Sequence, residues 1–139
     1  MSAKPPLMAV TLHRPWAYAV AELGKDVENR SWPCTLPPGA LLAIHAGKKW
    51  DEEGAAWIRR AVWDELPGLD SPLHPQGIIA IVAFAGNVTE SDSLWFTGPL
   101  AWRLQDVVVL PEAVPWIVTF VSRSPSRTWR GKGAPPETL

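Results

Sequence analysis

Hydrophobic and polar positions divide the chain into short segments. After a polar start, Leu7–Leu12 is an apolar run that predicts a strand. His13-Arg14 leads into Pro15, a residue suited to the first turn of a helix. Trp16, Ala19, Val20 and Leu23 then recur at helical spacing until Gly24, so the first helix is expected over Pro15–Leu23. Ala40–Ala46 reads as a strand. Asp51 is placed to N-cap a helix over Glu52–Leu66, whose acidic first turn suits the helix dipole and whose stripe is Ile58, Val62 and Leu66. Pro67-Gly68 ends it. The strongest strand signal is Ile78–Ala85; Trp102–Leu104 and Val107–Leu110 predict two short strands, and Trp116–Val121 a last one. Two early helices and four to six strands without βαβ alternation predict an α+β or barrel-like domain with peripheral helices, not a Rossmann sheet.

Length and composition narrow this picture. A chain of 139 residues is one domain, expected here over residues 1–121, followed by a basic C-terminal tail over 122–139. A lone cysteine, Cys34, excludes an internal disulfide and a cysteine-based zinc cluster, and fits a reducing cytoplasm. The three histidines, His13, His45 and His74, are scattered and form no recognisable metal set, so neither a metal nor a cofactor is expected. The formal net charge is −1, whereas non-specific nucleic-acid coating draws on a strongly basic surface, so any nucleic-acid contact has to be local. Charge is balanced along the chain as well, with eight positive and nine negative residues in 1–70 and five of each in 71–139. Met1–Pro6 lacks the apolar region of a signal peptide. The longest charge-free run, Ser71–Thr89, holds an apolar core of only ten residues, short of the roughly 20 that span a bilayer as a helix. No membrane partner is therefore expected. Tryptophan is in excess: nine, against three Phe and one Tyr.

Candidate chemistry concentrates in Gly24–Trp32. If Glu28–Trp32 is extended, Glu28, Arg30 and Trp32 share one face. A carboxylate, a guanidinium and an indole so aligned can read a planar polar ligand, with Glu accepting from amino groups, Arg forking onto carbonyls or phosphates, and Trp stacking. The same residues equally describe an ion pair on an edge strand beside a packed indole. His13, Arg14 and Trp16 stand at a strand–helix junction, where free N–H groups attract anions, while Trp16 is also the natural first core residue of its helix. His45, Lys48 and Lys49 close a strand and are either a phosphate contact or a core histidine followed by solvated lysines. Arg123, Arg127, Arg130 and Lys132, interleaved with Trp129, form a basic stretch that either grips single strands or is an ordinary tail.

Taken in order, these motifs resemble the ASCH domain family. The resemblance rests on Leu12-His13-Arg14-Pro15-Trp16-Ala17, then Gly24-Lys25-x-x-Glu28-x-Arg30-Ser31-Trp32, then Ile44-His45-Ala46-Gly47-Lys48. Pro75-x-Gly77-Ile78 and Trp95-Phe96-x-Gly98-Pro99-x-Ala101-Trp102-x-Leu104 look like the family's second half. The resemblance spans about residues 7–116. It implies a PUA-like β-barrel with helices packed around it, and a cleft beside the first helix lined by Lys25, Glu28 and Arg30. It also implies recognition of RNA or another nucleic acid, or of a nucleoside. Some small relatives are amidohydrolases acting on acetylated cytidine, or ribonucleases. In the similar amidohydrolases a Thr stands three residues after the motif lysine as the proposed nucleophile, and here that position is Glu28, which is no hydroxyl nucleophile. Many relatives also close with a Gly-Leu-Trp strand where this chain reads Val118-Thr119-Phe120-Val121. The expected function is therefore a nucleic-acid- or nucleobase-binding module. His13, Arg14, Trp16, Lys25, Glu28, Arg30, Trp32, His45 and Lys48 are its candidate ligand contacts, with Trp16 or Trp32 stacking on a base. The alternative is a small hydrolase in which Lys25 and Glu28 transfer protons around an activated water.

Overall fold

Side-chain alternation sets the two faces of the sheet. In a computed structural model, which describes residues 7–115 and 121–122, β1 (Met8–Arg14) lies parallel to β3 (Leu41–Trp50). Val10 and Leu12 of β1 and Leu42, Ile44 and Ala46 of β3 face the main core. Ala9 and Ala43, one residue out of phase, face a smaller cluster with Ile78. Between these strands come α1 (Trp16–Glu22) and the four-residue β2 (Val27–Arg30). After β3 follow α2 (Glu52–Ala61), β4 (Gly77–Val88), β5 (Leu100–Val114) and the two-residue β6 (Val121–Ser122). The strand order is β2-β5-β4-β3-β1-β6, with β2–β5, β5–β4 and β4–β3 antiparallel. The first five strands curl into a half-barrel, giving the α+β, barrel-like architecture expected.

Several expected boundaries are corrected. The second helix ends at Ala61 instead of Leu66, because Val62 leaves helical geometry (φ −129°, ψ −55°). The following turn folds Leu66 into the core, where its carbonyl accepts a hydrogen bond from Arg59 Nε at 3.1 Å. The two short strands predicted over 102–110 are one strand, β5. Polar Gln105-Asp106 looks like a break, but Asp106 takes a positive φ of 54° and the ladder to β4 resumes after register shifts. β4 likewise runs past Ala85 through Asn87, whose side chain clamps the backbone of Cys34 at 2.9 and 3.0 Å. Of the predicted strand Trp116–Val121, residues 116–120 lie outside the described residues, and Val121–Ser122 pairs parallel with β1. The expected basic tail also lies outside them beyond Ser122.

Asp51 couples the second helix to the first. One carboxylate oxygen caps α2 by accepting from Gly54 N at 2.8 Å; the other accepts from Trp16 Nε1 at 2.7 Å. The first turn of α2 therefore lies directly against the Trp16 indole. A Cβ on Gly54 would stand 2.5 Å from Trp16 Cζ2, and that ring is fully buried with no room to move. Gly54→Ala is accordingly expected to lower stability by about 1–3 kcal/mol through overpacking, despite alanine's better helix propensity. Gly68→Ala, where a Cβ meets nothing within 4 Å, is the control and should lie within about 0.5 kcal/mol of the parent in urea denaturation.

Candidate functional site

The charged residues of the Gly24–Trp32 stretch are inside the protein. Gly24 follows α1 with φ +77°, a left-handed conformation that turns the chain back under the helix, and Lys25 N then bonds Ala19 O at 3.1 Å. This turn delivers Lys25 next to β2. β2 pairs with the start of β5, Glu28 opposite Trp102 and Arg30 opposite Leu100. Lys25, Glu28 and Arg30 are each 1% exposed. Lys25 Nζ donates to Glu28 Oε1 at 2.8 Å and to Val27 O at 2.6 Å. Arg30 Nε forms an ion pair with Glu28 Oε2 at 3.2 Å, without the alignment of a hydrogen bond.

Indoles wall this cluster. Lys25 Nζ lies 5.8 Å from the Trp16 ring centroid, and Arg30 Cζ lies 5.1 Å from that of Trp102, both within cation–π range. Trp16, Trp57 and Trp95 pack together with centroids 5.5–6.4 Å apart. Burial pushes the Arg30 guanidinium below its ordinary pKa, against the opposing pull of Glu28. Both terminal nitrogens of Arg30, Nη1 and Nη2, are buried and have no hydrogen-bond partner.

Asn29 faces the other way and ties down the loop after β4. Its Nδ2 donates to Trp95 O at 3.0 Å, and its Oδ1 accepts from Thr97 N and Gly98 N at 2.8 and 3.2 Å. That clamp holds Trp95 in the interior at 4% exposure, not over a surface cleft as its loop position suggests.

The remaining candidates are dispersed. Trp16 has no exposed surface and both its ring and its N–H are engaged, so it has no face left for a ligand. Trp32 is half-buried and packs on the core, and its carbonyl accepts from Trp102 Nε1 at 3.0 Å. His13 is half-buried, and its pKa is lowered by burial and by Lys49, with Asp51 and Glu28 opposing. Arg14 acts as a strut, with Nη1 donating to His74 O at 3.0 Å and Nη2 to Lys48 O. His45 lies on the face of Ala9 and Ala43, where its Nδ1 is 3.1 Å from Thr11 Oγ1. Lys48 is exposed. The fold thus unites Lys25, Glu28 and Arg30 and leaves His45 on the opposite face of the sheet.

Sequence reasoning missed Trp102 as the wall of Arg30, Asn29 as a clamp, and the second bond of Asp51. Only the last had a signal, the N-cap position itself. Among the described residues no group of three or more His, Cys, Asp or Glu is placed to hold a metal ion. No helix among them is long and apolar enough to cross a membrane. Neither a protein-family model nor a curated protein sequence matches the chain.

His74 is a buried histidine that sequence reading left unassigned. It is 3% exposed and sits edge-on to the rings of Tyr18 and Trp50, with centroids 5.1 and 5.0 Å away. Because Pro67 O can only accept, the Nε2 contact at 3.0 Å places the proton on Nε2 and leaves Nδ1 bare and unpartnered. Burial, with Arg14 and Arg59 nearby, lowers its pKa from 6.5 despite the Pro67 contact. The unfolded chain therefore binds the extra proton first, and stability falls as pH drops below about 6.5 until the lowered folded-state value is reached. His74→Leu should flatten urea midpoints between pH 7 and 5 relative to the parent; an unchanged profile would assign the pH dependence to other groups.

Proposed function

We propose that this chain is a nucleic-acid- or nucleobase-binding module of the ASCH type, a PUA-like barrel that takes its ligand beside α1 at Lys25, Glu28 and Arg30. The observation that carries this reading is the Arg30 guanidinium, buried and holding two terminal donors without a protein partner. Buried donors without a partner are rare in natural folds, and an acceptor oxygen of a ligand would meet them. The ordered motifs from Leu12 to Leu104 support the family assignment. Arg30 supplies the donors, and Glu28, engaged by both cations, holds Lys25 and Arg30 in place. Trp32, the half-buried indole just beyond β2, is the stacking surface, since Trp16 is enclosed. His13 and Lys48 contribute from the periphery. The partner is RNA or another nucleic acid, or a nucleoside, in a cytoplasmic setting that suits a chain with one cysteine.

Titration with single-stranded RNA, single-stranded DNA and nucleosides, followed by tryptophan fluorescence, tests this. Saturable binding is expected. Arg30→Ala with Lys25→Ala should weaken it by about 10–100-fold, the worth of one or two charge-assisted hydrogen bonds. Unchanged affinity in that variant sinks the site.

A second reading is a small hydrolase acting on a modified nucleoside or on RNA. It is favoured by one distance, the 2.8 Å between Lys25 Nζ and Glu28 Oε1, which suits proton transfer. Turnover of acetylated cytidine or RNA oligomers that disappears in Glu28→Gln would establish it. Binding without turnover favours the module.

A further inference from the structure

We infer that the ligand meets Arg30 with a singly charged oxyanion sharing its charge over two oxygens, which in a nucleic-acid ligand is the phosphodiester and not the base. This rests on the binding reading above and deepens it, because it separates a strand or dinucleotide from a free nucleoside.

Charge is unbalanced at this cluster. Lys25 and Arg30 are two buried cations, and Glu28 is the one carboxylate paired with them among the described residues. Lys25 is satisfied twice over, by Glu28 Oε1 and by Val27 O. The shortfall of negative charge therefore falls on Arg30. A buried cation short of a counter-charge is costly, and a neutral carbonyl supplies a hydrogen bond without removing that charge. A monoanion supplies both.

The shape of the unpartnered group points the same way. The guanidinium carbon lies over the Trp102 ring, 5.1 Å from its centroid, and Nε is turned to Glu28. Nη1 and Nη2 remain, side by side in one plane, and neither has a partner. Two adjacent coplanar donors match two oxygens on one phosphorus or carbon, the bidentate geometry at which arginine outperforms lysine. The other buried polar atoms without partners do not build such a fork. Arg14 lacks a partner only at Nε, both of its terminal nitrogens being bound to carbonyls, and His74 Nδ1 is a lone acceptor.

The test uses the full chain and compares a nucleoside, the dinucleotide containing it, and two competitors without a base, dimethyl phosphate and acetate. The dinucleotide is expected to bind at least tenfold tighter than the nucleoside, and dimethyl phosphate to displace it at lower concentration than acetate. Arg30→Lys keeps a charge but loses the fork, and should bring dinucleotide and nucleoside to within about threefold of each other. Near-UV circular dichroism checks that the variant is folded; should it not fold, the ligand comparison on the parent chain decides alone. A nucleoside that binds as tightly as the dinucleotide overturns this inference while leaving the binding module standing. Displacement by acetate but not by dimethyl phosphate overturns it in favour of a carboxylate ligand. Failure of both nucleoside and dinucleotide to bind overturns the inference and the module together.

Discussion

Glu28 lies between two buried cations, and the interior of this protein is arranged around that fact. Lys25 at 2.8 Å and Arg30 at 3.2 Å would each cost several kcal/mol to desolvate without a nearby carboxylate. The same low-dielectric surroundings that make this arrangement expensive strengthen every contact within it. Three local devices hold it in register. The positive φ of Gly24 brings Lys25 back beneath α1, the pairing of β2 with β5 fixes Glu28 and Arg30, and Asn29 on the intervening position fastens the neighbouring loop.

The tryptophans are the second half of the same design. Trp16, Trp57, Trp95 and Trp102 are all at most 5% exposed, and two of them present ring faces to the buried cations. Indole suits this role because it is bulky enough to exclude water and carries a negative ring face for a cation. Its N–H still requires an acceptor. Asp51 provides one for Trp16 while capping α2, and Trp32 O provides one for Trp102. Of the seven tryptophans among the described residues, these four are architecture around a charged centre, and Trp32, Trp50 and Trp63 are half-buried.

Much of this was legible in the residues. Apolar runs located β1, β3 and β4, and period-two alternation placed Glu28 and Arg30 on one side of a short extended segment. The motif order from Lys25 to Arg30 marks three charged residues that the fold brings together. Other features depend on contacts between distant segments, which local patterns do not carry. Nothing around Arg30 announces that Trp102 covers it, and nothing around Trp95 announces the Asn29 clamp. β5 read as two strands because Gln105-Asp106 is polar, whereas a ladder to β4 can carry a residue of positive φ. The pattern predicts too long an α2 because its apolar stripe continues to Leu66 in sequence after the helix has ended.

The proposed role of Arg30 is to be the group that a ligand completes. Nitrogen-detected NMR of the guanidinium reads this directly, by following the Nη signals and the rotation about the Cζ–N bonds as a dinucleotide is added. If the ligand engages the fork, Arg30 Nη1 and Nη2 shift and their rotation slows on saturation, as two new hydrogen bonds form. Saturable binding that moves other resonances and leaves those of Arg30 unchanged would contradict it.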